Sequence, residues 1–240
     1  MFPETAQMNA SCGVVFVGRS NRAKQSDTFP RLSRALALRG YPVRWFESGR
    51  TAAVYRMNAR MTRVAPAIAA STGRRHRLHR RIIRILFKTL IALGEKERWD
   101  FLRAAIVSPP VAAARELERF IDGLPMERVH IIAQSAGAIS ATKIASNPKI
   151  STICCFGYPF KHPDNPAESY RTRHLPAVTK PLLIIQGTAD EYGPASPDLR
   201  SVLPPHARLI AIDCDHDYAN LSDAMVEQVL AALRDLIEVP

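Results

Sequence analysis

No stretch of this sequence approaches the roughly 18 to 20 consecutive apolar residues needed to span a bilayer. Apolar residues nonetheless make up 47% of it, so the absence argues against membrane-threading helices while leaving ample material for a core. Met1 to Ser11 carry Glu4 and no basic cluster ahead of an apolar run, which lacks the pattern of a secretory signal and leads us to expect a cytoplasmic chain. Cysteine is scarce. Cys12, Cys154, Cys155 and Cys214 show neither the paired CxxC spacing of a zinc site nor the density of a secreted disulfide scaffold, and are read as reduced. Cys154 and Cys155 lie in an apolar run, as small core side chains do. Internal repeats and low-complexity tracts are also missing. Finally, acid is short in one place: Thr51 to Arg98 hold twelve Lys/Arg against two Asp/Glu, a net +10 of the chain's +11. So sharp a shift suggests a basic helical insert, at about 51–98, in a nearly neutral domain.

What is present suits one α/β domain, since 240 residues support one sizeable core and would leave two halves small. Gly13 to Gly18 (Gly-Val-Val-Phe-Val-Gly) is a β-branched apolar run closed by glycine, the pattern of a strand buried on both faces. Phe29 to Arg39 then predicts a helix, with Leu32, Leu36 and Leu38 apolar and Gly40 as a stop, and Tyr41 to Glu47 a second strand. Beyond the basic segment, Pro110 to Ile121 has helical spacing through Val111, Ala114, Leu117 and Ile121. Val129 to Ala133, Ile150 to Gly157, Leu182 to Gln186 and Arg208 to Ile212 read as strands, and Ser135 to Ala145 and Ser222 to Ile237 as helices. Strands alternating with helices predict a mostly parallel, doubly wound sheet with helices on both faces. The proline-rich stretch from Pro159 to Pro181 is expected as a loop over the sheet's carboxyl edge.

Three polar residues follow predicted strands directly. Ser135 sits in Ala133-Gln134-Ser135-Ala136-Gly137, between a strand and a helix, and small flanks suit the sharp turn that exposes a nucleophile there. Such a run, taken alone, equally describes a serine packing one helix on a sheet. Position separates the two readings. Asp190 ends Gln186-Gly187-Thr188-Ala189-Asp190 after the strand from Leu182, and His216 stands in Asp213-Cys214-Asp215-His216-Asp217 after the strand ending at Ile212. A hydroxyl is a weak nucleophile until a base takes its proton and an acid orients that base, so Ser135, His216 and Asp190 are the candidate catalytic set. The developing oxyanion needs two donors: the N–H of Ala136 by its place at the helix start, and the N–H of Arg19 or Ser20 in the loop after Gly18. This chemistry requires no metal or cofactor.

On these residues the chain resembles the α/β-hydrolase superfamily. More narrowly, it resembles the dienelactone-hydrolase-like branch of small hydrolases typified by the testis-expressed and KANL-type proteins. The narrower likeness lies in Phe156-Gly157-Tyr158-Pro159-Phe160 with His162-Pro163, in Arg173-His174-Leu175, and in the run from Lys180 to Gly193 containing Gln186-Gly187-Thr188-Ala189-Asp190. The resemblance implies the α/β-hydrolase fold and a carboxylesterase-like activity on an ester or related acyl bond. It assigns Ser135 as nucleophile, Asp190 as acid and His216 as base. The branch carries a His-Gly-x-Gly loop after its first strand, where Gly18-Arg19-Ser20-Asn21 stands here.

The basic segment adds a second expectation. Arg74, Arg75, Arg77, Arg80, Arg81, Arg84 and Lys88 accumulate without an acidic residue between them, and Leu78, Ile82, Ile83, Ile85, Leu86, Leu90 and Leu93 fill other positions. At helical spacing this is a basic amphipathic helix. One reading packs its apolar stripe on the domain and leaves a cationic face in solvent. Others make Arg77, Arg81 and Arg84 an anion-binding face, favouring an anionic acyl substrate or, facing outward, contact with an anionic membrane surface or a polyanion such as nucleic acid. The second function class is then a non-catalytic binding protein on a hydrolase scaffold. No specific nucleic-acid contact is expected, since Phe87 is the only Phe, Tyr or Trp from Arg74 to Arg98.

Overall fold

The computed structural model describes residues 11–18, 27–69, 77–106, 109–164, 168–219 and 221–238. In chain order the elements are β1 (Cys12–Val17), α1 (Thr28–Leu38), β2 (Val43–Phe46), α2 (Gly49–Val64), α3 (Pro66–Ala69), α4 (Arg77–Gly94), α5 (Trp99–Ile106), α6 (Pro109–Asp122), β3 (Arg128–Gln134), α7 (Ala136–Lys143), β4 (Ile150–Phe156), β5 (Leu182–Gly187), β6 (Arg208–Ile212) and α8 (Asp223–Ile237). Two compact units result: Met1–Phe46 with Leu117–Pro240, and Glu47–Glu116.

The larger unit is built on a six-stranded sheet in the order β2-β1-β3-β4-β5-β6, with every pair parallel. Its four inner strands, β1, β3, β4 and β5, are almost wholly buried, as cover on both faces requires, while β2 and β6 at the edges are partly exposed. Alternation along them sends Val14, Phe16, Ile132, Cys154, Phe156, Leu183 and Ile185 to one face, where Phe29, Leu32 and Leu36 of α1 and Val226, Val229 and Leu233 of α8 join them in one buried cluster. Leu38, expected with the apolar set of α1, is 82% exposed instead, because the eleven-residue helix ends there, past its last buried turn at Leu36. Ser222 caps α8 by accepting from the Met225 N–H at 3.3 Å. The strand order runs outward in opposite directions from β1 and β3, so loops after these strands diverge. A crevice at such a switch point is where this architecture places its ligands.

The smaller unit is helical. Ser48 accepts from the Thr51 N–H to start α2, whose Ala53, Met57 and Met61, spaced by four, form the buried stripe. Arg56 bridges to Asp100, and Arg60 to Glu95 at 2.6 Å. Ala92 of α4 is fully buried, and the Lys88 ammonium lies 5.7 Å from the Phe101 ring centre. Ile82, Ile83, Ile85, Leu86, Leu90 and Leu93 are exposed. This departs from the expectation that α4 packs its apolar stripe and leaves the cationic one to solvent. Lys88 and Ala92, one turn apart, face the unit's other helices.

Candidate active site

Ser135 stands between the last residue of β3 and the first of α7, with φ 53° and ψ −126°. For a residue with a Cβ this backbone is strained, and a sharp strand-to-helix turn imposes it. Its N–H donates to the Phe156 carbonyl at 3.0 Å, tying the turn to the end of β4. Gly137 is demanded by close approach: a Cβ there would lie 2.6 Å from the Val17 carbonyl oxygen at the end of β1. Ala133 and Gly137 thus serve the turn as small flanks should.

The sequence-predicted residues converge. His216 Nε2 is 2.8 Å from Ser135 Oγ, and His216 Nδ1 is 2.9 Å from Asp190 Oδ2 and 3.0 Å from Oδ1. Parallel strands bring this about, since β3, β5 and β6 all end at the same sheet edge and each residue is on the loop that follows. Asp190 is 1% exposed and His216 8%. The serine–imidazole and imidazole–carboxylate bonds form a single chain. In it a carboxylate fixes one imidazole nitrogen as donor and leaves the other free to accept the serine proton.

Several residues around this chain carried no assigned role in the sequence. Gln186 is completely buried; its Nε2 donates to Asp190 Oδ2 at 3.0 Å and to the Gly193 carbonyl at 2.7 Å, and its Oε1 accepts from the Tyr158 N–H at 2.9 Å. With the Tyr192 N–H donating to Asp190 Oδ1 at 2.8 Å, the carboxylate is held from three directions. The Tyr192 ring lies 4.4 Å from that of His216. Gly157, at φ +54°, leaves room for the histidine: a Cβ would stand 3.1 Å from His216 Nδ1 and 3.2 Å from Asp190 Oδ2. Gly187 admits the loop that carries His216, as its Cβ would meet the Cys214 carbonyl oxygen at 2.5 Å. The Tyr218 hydroxyl donates to the Ile185 carbonyl at 2.7 Å and accepts from the Gly157 N–H at 2.8 Å, joining β4 to β5 below the site. Gln186, Gly157, Gly187 and Tyr192 all lie in the runs that carry the family likeness, the one sequence signal that pointed to them.

Burial, reinforced by Asp215, Asp190 and Asp213, pushes the Cys214 thiol up to about 12, and burial likewise raises Cys154 and Cys155. Ala136 opens α7, so its N–H has no carbonyl four residues back within the helix, as an oxyanion donor requires. Arg19 and Ser20 lie outside the described residues, as do the side chains of Arg77 and Arg81; Arg84 is half-buried on α4. Among the described residues no group of three His, Cys, Asp or Glu gathers as a metal site would.

Comparison with known proteins adds the following. The family described as Alpha/beta hydrolase domain matches residues 111–237, a span that includes Ser135, Asp190 and His216. No curated protein matches the chain. Among solved structures, the esterase domain of a Rhodothermus marinus protein aligns over 94% of this chain and 87% of its own at 15% identity, with a TM-score of 0.54. An α/β serine hydrolase homologue from Coxiella burnetii aligns over 95% and 85% at 15% identity, TM-score 0.53. An esterase of Pyrococcus furiosus aligns over 95% and 82% at 14% identity, TM-score 0.51. The likeness is one of fold: the six-stranded parallel sheet with flanking helices is the α/β-hydrolase arrangement expected from the sequence.

Proposed function

Since this chain belongs to the Alpha/beta hydrolase domain family, we propose that it is a serine hydrolase of carboxylesterase type, with Ser135 as nucleophile, His216 as base and Asp190 as acid. The observation that carries the proposal is the continuous hydrogen-bond chain from Asp190 through His216 to Ser135 Oγ. His216 Nε2 takes the Ser135 proton as Oγ attacks the acyl carbonyl, and the resulting oxyanion is met by the Ala136 N–H, with Arg19 or Ser20 as the second donor. Collapse of the tetrahedral adduct breaks the bond to the leaving alcohol, which receives the proton from His216. Water then attacks the acyl-enzyme; His216 accepts the water's proton and returns one to Ser135 Oγ, and the acid is released. Asp190 stabilises the imidazolium through its hydrogen bonds to Nδ1.

An ester is the bond proposed, in keeping with the esterases of like fold, and the runs from Phe156 and from Lys180 favour the dienelactone-hydrolase-like branch within the family. Labelling with a fluorophosphonate probe tests the reading. Wild-type protein is expected to label and Ser135→Ala is not. An inert wild-type, or a Ser135→Ala variant that still labels, overturns it.

A further inference from the structure

The hydrogen-bond chain lies in the larger unit and leaves an exposed apolar surface of the smaller one unexplained. Helix α4 presents Ile82, Ile83, Ile85, Leu86, Leu90 and Leu93 to solvent, each between 47% and 65% exposed. Exposed aliphatic side chains occur singly on most proteins, but six on one eighteen-residue helix form a contiguous patch of the kind that marks an interaction surface. At 100° per residue Ile82, Leu86, Leu90 and Leu93 lie along one stripe, with Ile83 and Ile85 at its borders. Lys88 and Ala92 lie on the other side and turn into the unit, where burial and Arg84 together lower the lysine's pKa.

The charge of the unit that carries this stripe identifies what would cover it. Glu47–Glu116 holds fifteen Lys/Arg and five Asp/Glu, and no acidic residue occurs from Arg74 to Gly94. Two of the few acids are already engaged, Glu95 by Arg60 and Arg98 and Asp100 by Arg56. A second copy laid on the same face would bring two strongly cationic units together, with no acid on the helix to separate them. A partner that is both apolar and anionic satisfies the stripe and the charge together. We propose that α4 is a docking surface for an anionic phospholipid bilayer, its aliphatic stripe entering the headgroup boundary while the net positive charge of its unit draws it to the lipid phosphates. The helix is about 27 Å long at 1.5 Å per residue. No described helix is long and apolar enough to cross a membrane, so α4 lies along the surface.

Co-sedimentation of the full chain with phosphatidylcholine vesicles, with and without phosphatidylglycerol, tests this. Binding is expected to the anionic vesicles, weakening with salt and at least about tenfold weaker to pure phosphatidylcholine. Leu86→Ser with Leu90→Ser keeps every charge and is expected to lower anionic-vesicle binding at least about tenfold. Both side chains are exposed, so circular dichroism and the melting temperature should match wild type; charge reversal at Arg77, Arg81 and Arg84 gives an independent loss from the electrostatic side. Absence of binding to anionic vesicles, equal binding to both vesicle types, or binding unchanged in the serine pair overturns the proposal. So does a dimer in sedimentation velocity that the serine pair dissolves, which would assign the stripe to a second copy. Fluorophosphonate labelling of the serine pair should stay at the wild-type level, keeping this test separate from that of the catalytic residues.

Discussion

Gly157→Ala isolates the packing that lets His216 stand between Asp190 and Ser135. Two costs arise and they appear in different measurements. The first is conformational: Gly157 has φ +54°, and an alanine in that left-handed region costs about 1 to 2 kcal/mol, which an unfolding experiment reads. The second is crowding. The new Cβ would lie 3.1 Å from His216 Nδ1, 3.1 Å from Tyr218 Cε2 and 3.2 Å from Asp190 Oδ2. Carbon contacts are comfortable at roughly 3.5 Å or beyond, so the imidazole must recede by a few tenths of an ångström. That movement lengthens bonds of 2.9 Å to Asp190 and 2.8 Å to Ser135. Since a misplacement of about 1 Å costs about a hundredfold, a shift of this size predicts fluorophosphonate labelling slower by about tenfold. Gly137→Ala is the contrast, because its Cβ would face the Val17 carbonyl oxygen at 2.6 Å and neither partner is a side chain that can swing away. It is expected to destabilise the fold by about 3 kcal/mol. Gly157→Ala labelling at the wild-type rate, while unfolding about 1 to 2 kcal/mol more readily, would refute the account of how His216 is held.

Two further outcomes follow from buried polar groups. Gln186→Leu removes a donor to the Asp190 carboxylate and is expected to lower kcat on a chromogenic ester by about tenfold with KM unchanged, and to cost about 2 kcal/mol through the unpaired Tyr158 N–H and Gly193 carbonyl. A raised KM with kcat intact would instead make Gln186 a substrate-binding residue. The third outcome concerns pH. Burial, with Arg128 adding to it, pushes His130 down to about 4 from its ordinary 6.5. The unfolded chain therefore takes up a proton as pH falls below 6.5 while the folded chain resists until about 4, so this group's share of stability is full above 6.5 and lost on descent through 4. The interval corresponds to about 3 kcal/mol. Urea midpoints followed across that window should fall less steeply in His130→Gln; an unchanged slope would show that other groups, His174 with its similar shift among them, govern the acid limb.

Ser135, Asp190 and His216 were legible because each is the polar punctuation after an apolar run, and parallel strands carry all such positions to one sheet edge. Strand positions followed from the same runs, with boundaries moving by a residue or two. Gln186 and Gly157 were visible only as letters in a family-like run. Gln186 is a polar residue inside a strand whose partners, Tyr158 and Gly193, come from two other loops, and no spacing rule joins them. Gly157 needs its φ because the histidine beside it arrives from β6, two strands away.

The basic segment divides the two kinds of information most plainly. Composition alone established that the charge belongs to one stretch and that Arg74 to Gly94 is amphipathic, since both depend on residue type and on 3.6-residue periodicity. Which side of that helix meets the protein depended on competition among neighbours that periodicity does not contain. Met57, Met61 and Ala92 build the unit's interior, and the aliphatic stripe of α4 is left at the surface. The convergence of Ser135, Asp190 and His216 was written in sequence because sheet topology places strand ends together whatever the intervening length. The facing of α4 was decided only by packing, because burying a stripe requires a surface of matching shape that the sequence of the helix does not supply.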